Sequence, residues 1–249
     1  MIKDIPCYSP VQRYTSLMAP PAGDRPLATL LGDVIGSRTA DDRQALHDTL
    51  TTALSEVSSE VSTIHDLQVT AGDEFQGTFA TVGESLYAAL LLRLRLHPDI
   101  DIRVGIGWGE VTVLDAENGT QDGPAWWAAR AAVEWVEERQ AATGWEHVRT
   151  AYRPAETAAA AASRTDAGPF PMDPGPSAEA INAALLCQDH LIGLLDTRSR
   201  HILEGLMHGR TQVKLAEELG LTRQAVNQRR KHDGLAIAVA AAESLRMVT

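Results

Sequence analysis

The chain has 249 residues, a net charge of −11 and 22% charged side chains, a profile that suits a soluble globular protein of one large domain or two smaller ones. No apolar run reaches the roughly 18–20 residues of a membrane span, and the start Met1–Cys7 lacks the apolar core of a signal peptide, so no membrane partner is expected. Cys7 and Cys187 are far apart and without metal-ligand spacing, which argues against a disulfide framework and for a reducing, cytoplasmic setting.

Residues 1–26 carry five prolines and read as an irregular N-terminal arm. Leu27–Leu31 is a candidate buried strand, and Asp41–Val61 has helical spacing through Leu46, Leu50, Leu54 and Val57. Leu67–Thr70 and Glu74–Phe79 are strand-like runs flanking Gly72-Asp73, which suits a hairpin. Gly83–Leu96 reads as a helix. Ile100, Ile102, Val104 and Ile106 alternate as a strand, and Trp108–Leu114 continues into another. Pro124–Gln140 reads as a helix and Val148–Thr150 as a further strand. The order strand–helix–strand–strand–helix–strand resembles a ferredoxin-like palm over 27–152. Residues 153–177 form an Ala/Pro/Gly-rich linker in which Glu156–Ala162 has helical character, and 178–249 is helical throughout. The fold class expected is therefore α+β, a palm followed by a small all-α domain.

Two strings stand out. In Gly32-Asp33-Val34-Ile35-Gly36-Ser37-Arg38 and Ala71-Gly72-Asp73-Glu74-Phe75-Gln76-Gly77, an apolar run leads into Gly-Asp, placing an aspartate at the end or turn of a buried strand. Two such carboxylates on neighbouring strands are what a protein needs to hold hard divalent cations against a nucleoside triphosphate. Taken singly, each Gly-Asp also reads as a turn device.

Together with Arg103-Val104-Gly105-Ile106-Gly107-Trp108-Gly109-Glu110 and Gly123-Pro124-Ala125-Trp126-Trp127-Ala128-Ala129-Arg130, these strings resemble the SatD family, and their order and spacing look like the catalytic domain of class III nucleotidyl cyclases. The resemblance implies that Asp33 and Asp73 are metal carboxylates for Mg2+ or Mn2+, with the Val34 carbonyl as a further ligand. It implies that the turn Ile35, Gly36, Ser37, Arg38, with Gly72, cradles phosphates through backbone N–H groups. Arg130 matches the cyclase arginine that neutralises phosphate charge in the transition state. It also implies a homodimer.

The chain departs from the cyclase pattern at three places. Val69 stands where cyclases carry a base-selecting Lys or Glu, and Trp126 where they carry the asparagine that orients the ribose. The later phosphate-gripping lysine has no counterpart between Arg149 and Pro176. Losing one preorganised donor in such a site costs ~2.7–4 kcal/mol, so binding survives these changes better than turnover does. Glu74 and Gln76 alternate with Phe75 and read either as a polar strand face or as neighbours of the metals. Glu110 is solvent-facing or functional. For Trp126 and Trp127, packing in the core or an interface is preferred to base stacking. His47, His65, His97 and His147 lack ligand spacing.

The tail carries a second constellation. Segment 198–232 holds eight Lys/Arg against three acids, net +5, leaving −16 elsewhere. Asp196 is a cap candidate for a helix bearing Ile202, Leu203, Leu206 and Met207, and Thr211 caps the next. Gly220-Leu221-Thr222 then turns into Arg223-Gln224-Ala225-Val226-Asn227-Gln228-Arg229-Arg230-Lys231, a helix-turn-helix pattern that looks like sigma-factor region four. Gln224, Asn227 and Gln228 suit base edges; Arg223, Arg229, Arg230 and Lys231, with Thr222 at the helix start, suit phosphates or guanine. A solvated basic face on a three-helix packing unit is the alternative. Leu235–Leu245 packs back on the bundle or pairs two chains.

The sequence thus points to a nucleotide- and metal-binding, ligand-responsive DNA-binding regulator on a degenerate cyclase-like palm, with DNA, a nucleotide and a second copy as partners. The alternative is an active two-metal nucleotidyl cyclase-type phosphorus–oxygen lyase.

Overall fold

The chain is described from a computed structural model covering residues 26–37, 42–115, 119–155 and 175–249. Most of the N-terminal arm, Arg38, the expected helix at Glu156–Ala162 and most of the linker lie outside the described residues.

Strand β1 (Leu27–Val34) is the hub, hydrogen-bonded on both sides. Helix α1 (Arg43–Glu60) follows; the Asp42 carboxylate caps it by accepting from Ala45 N at 2.9 Å. Strands β2 (Thr63–Val69) and β3 (Phe75–Phe79) form the expected hairpin. Then come α2 (Val82–Leu96), β4 (Ile102–Gly109), the short pair β5 (Thr112–Asp115) and β6 (Thr120–Asp122), α3 (Pro124–Gln140) and β7 (Thr150–Pro154). The main sheet has the order β2-β3-β1-β4-β7, with β7 parallel to β4 and every other neighbour antiparallel. Its first four strands have the order and directions of a ferredoxin-like βαββαβ unit, to which α3 and β7 are added.

The alternation of β1 and β4 separates two faces. Ala28, Leu30, Val34, Ile102, Val104 and Ile106 pack with α1 and α2 in the main core. Thr29, Leu31, Asp33, Arg103, Gly105 and Gly107 look the other way, toward α3. Two glycines let that helix settle onto β4. A Cβ at Gly105 would lie 2.2 Å from Ala129 O, and one at Gly107 2.0 Å from Ala125 O. Pro124 starts α3 at a position where its missing N–H costs nothing.

The remaining helices are α4 (Ala178–Gly193), α5 (Thr197–Met207), α6 (Gln212–Glu218), α7 (Arg223–His232) and α8 (Leu235–Arg246). They do not stand apart from the sheet. Leu90 and Leu94 of α2 share a core with Ile202, Leu203, Leu215, Val226 and Leu235. Buried Arg93 of α2 pairs with buried Asp189 of α4, whose other oxygen accepts from Arg149 N at 2.7 Å and Thr150 N at 2.8 Å. Asn182 exchanges two bonds with the Tyr152 backbone, at 2.9 and 2.8 Å, so a side-chain amide satisfies the outer edge of β7. Among the described residues, no helix is long and apolar enough to cross a membrane.

Candidate functional site

Asp33 sits near the end of β1 on the α3 face, directly opposite Arg103 of β4. Arg103 Nε donates to Asp33 Oδ1 at 2.8 Å, and its Nη1 lies 2.8 Å from Glu137 Oε1 on α3. Burial pushes the Asp33 carboxyl above the usual aspartate range; Arg103 pulls it down, and the charges of Glu137 and Asp73 push it up again. Arg103 in turn is held above its ordinary range by Asp33 and then Glu137, against burial.

Asp73 belongs to the β2–β3 turn. Thr70 N donates to Glu74 O at 2.9 Å and Glu74 N to Ala71 O at 3.0 Å. Gly72 takes φ +66°, a conformation that favours glycine, with open space where a Cβ would be. Ser37, buried in the turn after β1, donates its hydroxyl to Asp73 Oδ2 at 2.6 Å. The fold therefore gathers Asp33, Ser37 and Asp73 at one corner of the palm, although the strings that carry them lie forty positions apart.

The rest of the expected phosphate cradle is placed as follows. Ile35 N is engaged by Asp101 O at 2.9 Å, so that amide already has an acceptor. Gly36 takes φ +74°. Arg130 is bound bidentately by Glu74, at 3.0 and 3.1 Å; the Glu74 bond raises its pKa further, and the more distant Asp33 charge adds to that. Val34 keeps its place in the ladder opposite Ile102. Trp126 begins α3 and lines a cleft beside Arg130, and Trp127 is 63% exposed with its Nε1 donating to Asp122 at 2.9 Å.

Among the described residues, no three His, Cys, Asp or Glu side chains cluster as metal ligands. The donors at the corner are oxygens only: two carboxylates, the Ser37 hydroxyl and backbone carbonyls. That chemistry fits one hard divalent cation. It fits a pair of cations less well, because Arg103 already neutralises Asp33. Sequence reasoning missed Arg103 and Glu137. The signal was present, since Arg103 lies out of phase with the alternating Ile102, Val104 and Ile106 and so shares a face with Asp33.

In the tail, Thr222 caps α7 by accepting from Ala225 N at 3.1 Å. Arg223, Gln224, Gln228 and Lys231 are exposed, and Asn227 and Arg230 half-buried. Arg229 is committed elsewhere. Its Nη1 reaches Asp196 Oδ2 at 2.8 Å and Ser199 Oγ at 2.7 Å, tying α7 to the start of α5. The Ser199 amide and then Arg229 hold the Asp196 carboxyl below its usual range.

The model of the SatD family matches residues 27–165. Among solved structures, one titled as a bacterial light-regulated adenylyl cyclase aligns at 13% identity with a TM-score of 0.39, over 51% of this chain and 75% of that chain. No curated protein matches.

Proposed function

The chain belongs to the SatD family, and on that premise we propose that its palm binds a nucleotide through one divalent cation at Asp33 and Asp73, and that this state biases DNA reading by α7. The observation that carries the reading is the meeting of Asp33 and Asp73 around Ser37 at one corner. Mg2+ or Mn2+ held there supplies charge for the phosphates and relieves the repulsion between the carboxylates. Ser37 orients Asp73, and Arg103 competes with the cation for Asp33.

The same geometry favours binding over turnover. Two-metal phosphoryl chemistry needs both carboxylates available to the ions, and the Asp33 carboxylate is shared with Arg103 at 2.8 Å. The Arg130 guanidinium is likewise shared with Glu74.

The DNA part of the proposal is supported by the exposed face of Arg223, Gln224, Gln228 and Lys231 beyond a glycine turn, where Gly220 takes φ +62°. A connection is available too: β3 leads from Asp73 into α2, and α2 shares its core with α5 to α8. Coupling requires that the ligand bind one arrangement of these helices better than another. We place the protein in the cytoplasm as a homodimer reading two half-sites.

The test is titration of nucleoside triphosphates with Mn2+ into wild type and Asp73→Asn, with product analysis, followed by DNA anisotropy with and without ligand. Saturable, Mn2+-dependent binding lost in Asp73→Asn, without product, is the expected result. Product formation lost in that variant would establish the cyclase-type alternative instead.

A further inference from the structure

Helix α3 covers β4 closely but leaves part of the neighbouring strands open. The cause is local: Gly105 and Gly107 draw the helix down onto β4, while β1 and β3 continue sideways with larger side chains. Paired residues of an antiparallel ladder point to the same side, so Leu31 of β1 and Gln76 of β3 stand together on the α3 face. Thr29 and Thr78, the next pair along, do the same. The β5–β6 pair closes the far wall through Gln121, whose Oε1 accepts from Thr78 Oγ1 at 3.1 Å. The result is a cleft of about 350 Å³ lined by Leu31, Gln76, Gln121, Trp126 and Trp127, with Arg130 and Glu134 of α3 beside them.

These walls have a definite chemistry. The Gln121 carbonyl is engaged by Thr78, leaving the Nε2 protons to donate. Trp126 Nε1 is buried and has no hydrogen-bond acceptor among the described residues, so the indole offers the cleft its ring rather than its N–H. Gln76 offers both a donor and an acceptor. Indole faces, an aliphatic side chain and amide groups in one slot suit a flat heterocycle that is apolar on its faces and polar at its edge. Arg130, which lines the cleft, is bound by Glu74, the neighbour of Asp73 in the chain, so the cleft adjoins the proposed phosphate site.

We infer that the Trp126–Gln76–Gln121 cleft is a nucleobase subsite. It accepts the ring of the nucleotide whose phosphates and cation sit at Asp33 and Asp73, and it rests on that reading of the corner. Selection by these amides replaces the charged side chain that Val69 does not provide. The phosphates compete with Glu74 for Arg130.

Nuclear magnetic resonance of the five indole N–H groups in the full chain tests the inference, with adenosine and guanosine 5′-monophosphate in EDTA as ring probes and Mg2+ tripolyphosphate as the ringless probe. A ring probe is expected to shift the Trp126 and Trp127 signals but not those of Trp135 and Trp145. Gln76→Leu and Gln121→Leu, which remove the amides and keep the indole faces, should each weaken monophosphate binding about tenfold and leave Mg2+ tripolyphosphate unchanged. Unmoved Trp126 and Trp127 signals at millimolar ring probe would overturn the subsite, as would wild-type affinity in both variants. If Mg2+ tripolyphosphate still binds in that case and Asp73→Asn abolishes it, the corner stands and only the cleft assignment fails. If the ring probes bind and Mg2+ tripolyphosphate does not, the subsite holds and the metal corner is the part that fails.

Discussion

Arg103 faces Asp33 across the β1–β4 ladder and donates to its Oδ1 at 2.8 Å. One guanidinium thus holds the carboxylate proposed as a cation ligand, and anchors it to Glu137 on α3. Removing the guanidinium should free the carboxylate. In Arg103→Gln we expect Mn2+ to bind about tenfold tighter at pH 7.5, an effect of about 1.4 kcal/mol, read by calorimetry. Unchanged or weaker Mn2+ binding would mean that Arg103 positions Asp33 for the cation rather than competing with it.

The pH dependence of stability follows from the same carboxyl. Asp33 is raised in the folded state, chiefly by burial, so the folded chain holds its proton to higher pH than the unfolded chain does. Its contribution is complete below the unfolded value and is lost as pH rises through the folded value. Denaturation curves from pH 3 to 7 should therefore show a loss that Asp33→Asn removes. Saturating Mn2+ should reverse that loss in wild type and not in the variant.

The buried ion pair between Arg93 and Asp189 joins α2 to α4, and the same aspartate receives two backbone amides of the β7 region. Asp189→Ala should cost about 3–5 kcal/mol, because it strands a buried guanidinium. Replacing Arg93 by Met in that background should recover part of the loss. Urea denaturation of the two variants measures the difference.

Arg229 and Arg223 lie on one helix with different surroundings. Arg229 is clamped by Asp196 and Ser199, whereas Arg223 is exposed. Arg229→Ala should lower stability by about 1–3 kcal/mol. Arg223→Ala and Lys231→Ala should leave the melting temperature unchanged and each reduce the salt slope of DNA binding by about 1. A melting temperature that falls equally in all three would argue that this face of α7 is structural.

Much of the palm was legible because its strands alternate and its helices carry apolar stripes. The helix Pro124–Gln140 matches the expected bounds, and Asp196 and Thr211 cap the helices they were expected to cap. The tight β2–β3 turn followed from Gly72-Asp73. Strand β6 was not legible, since Thr120–Asp122 is three polar residues whose pairing comes from β5. The packing of the tail on α2 had a signal that went unused. Leu86, Leu90, Leu91, Leu92, Leu94 and Leu96 surround that helix on all sides, and a helix apolar all round is buried between layers. At the site, the two aspartates and their flanking turns could be read from the strings. The alternation of β4 put Arg103 on the face away from the core, but its pairing with Asp33, and the places of Glu137 and Gln121, could not be read without the register that brings them there.

The central claim is that Asp33 and Asp73 hold a cation for a nucleotide that is bound and not turned over. Its most direct test is calorimetric titration of Mn2+ nucleoside triphosphate into wild type and Asp73→Asn, with the cell contents analysed for product afterwards. Saturable heat in wild type, loss of binding in Asp73→Asn and intact triphosphate are the predicted result. Equal binding by the two proteins would contradict the cation site, and a released cyclic nucleotide or pyrophosphate in wild type would contradict binding without turnover.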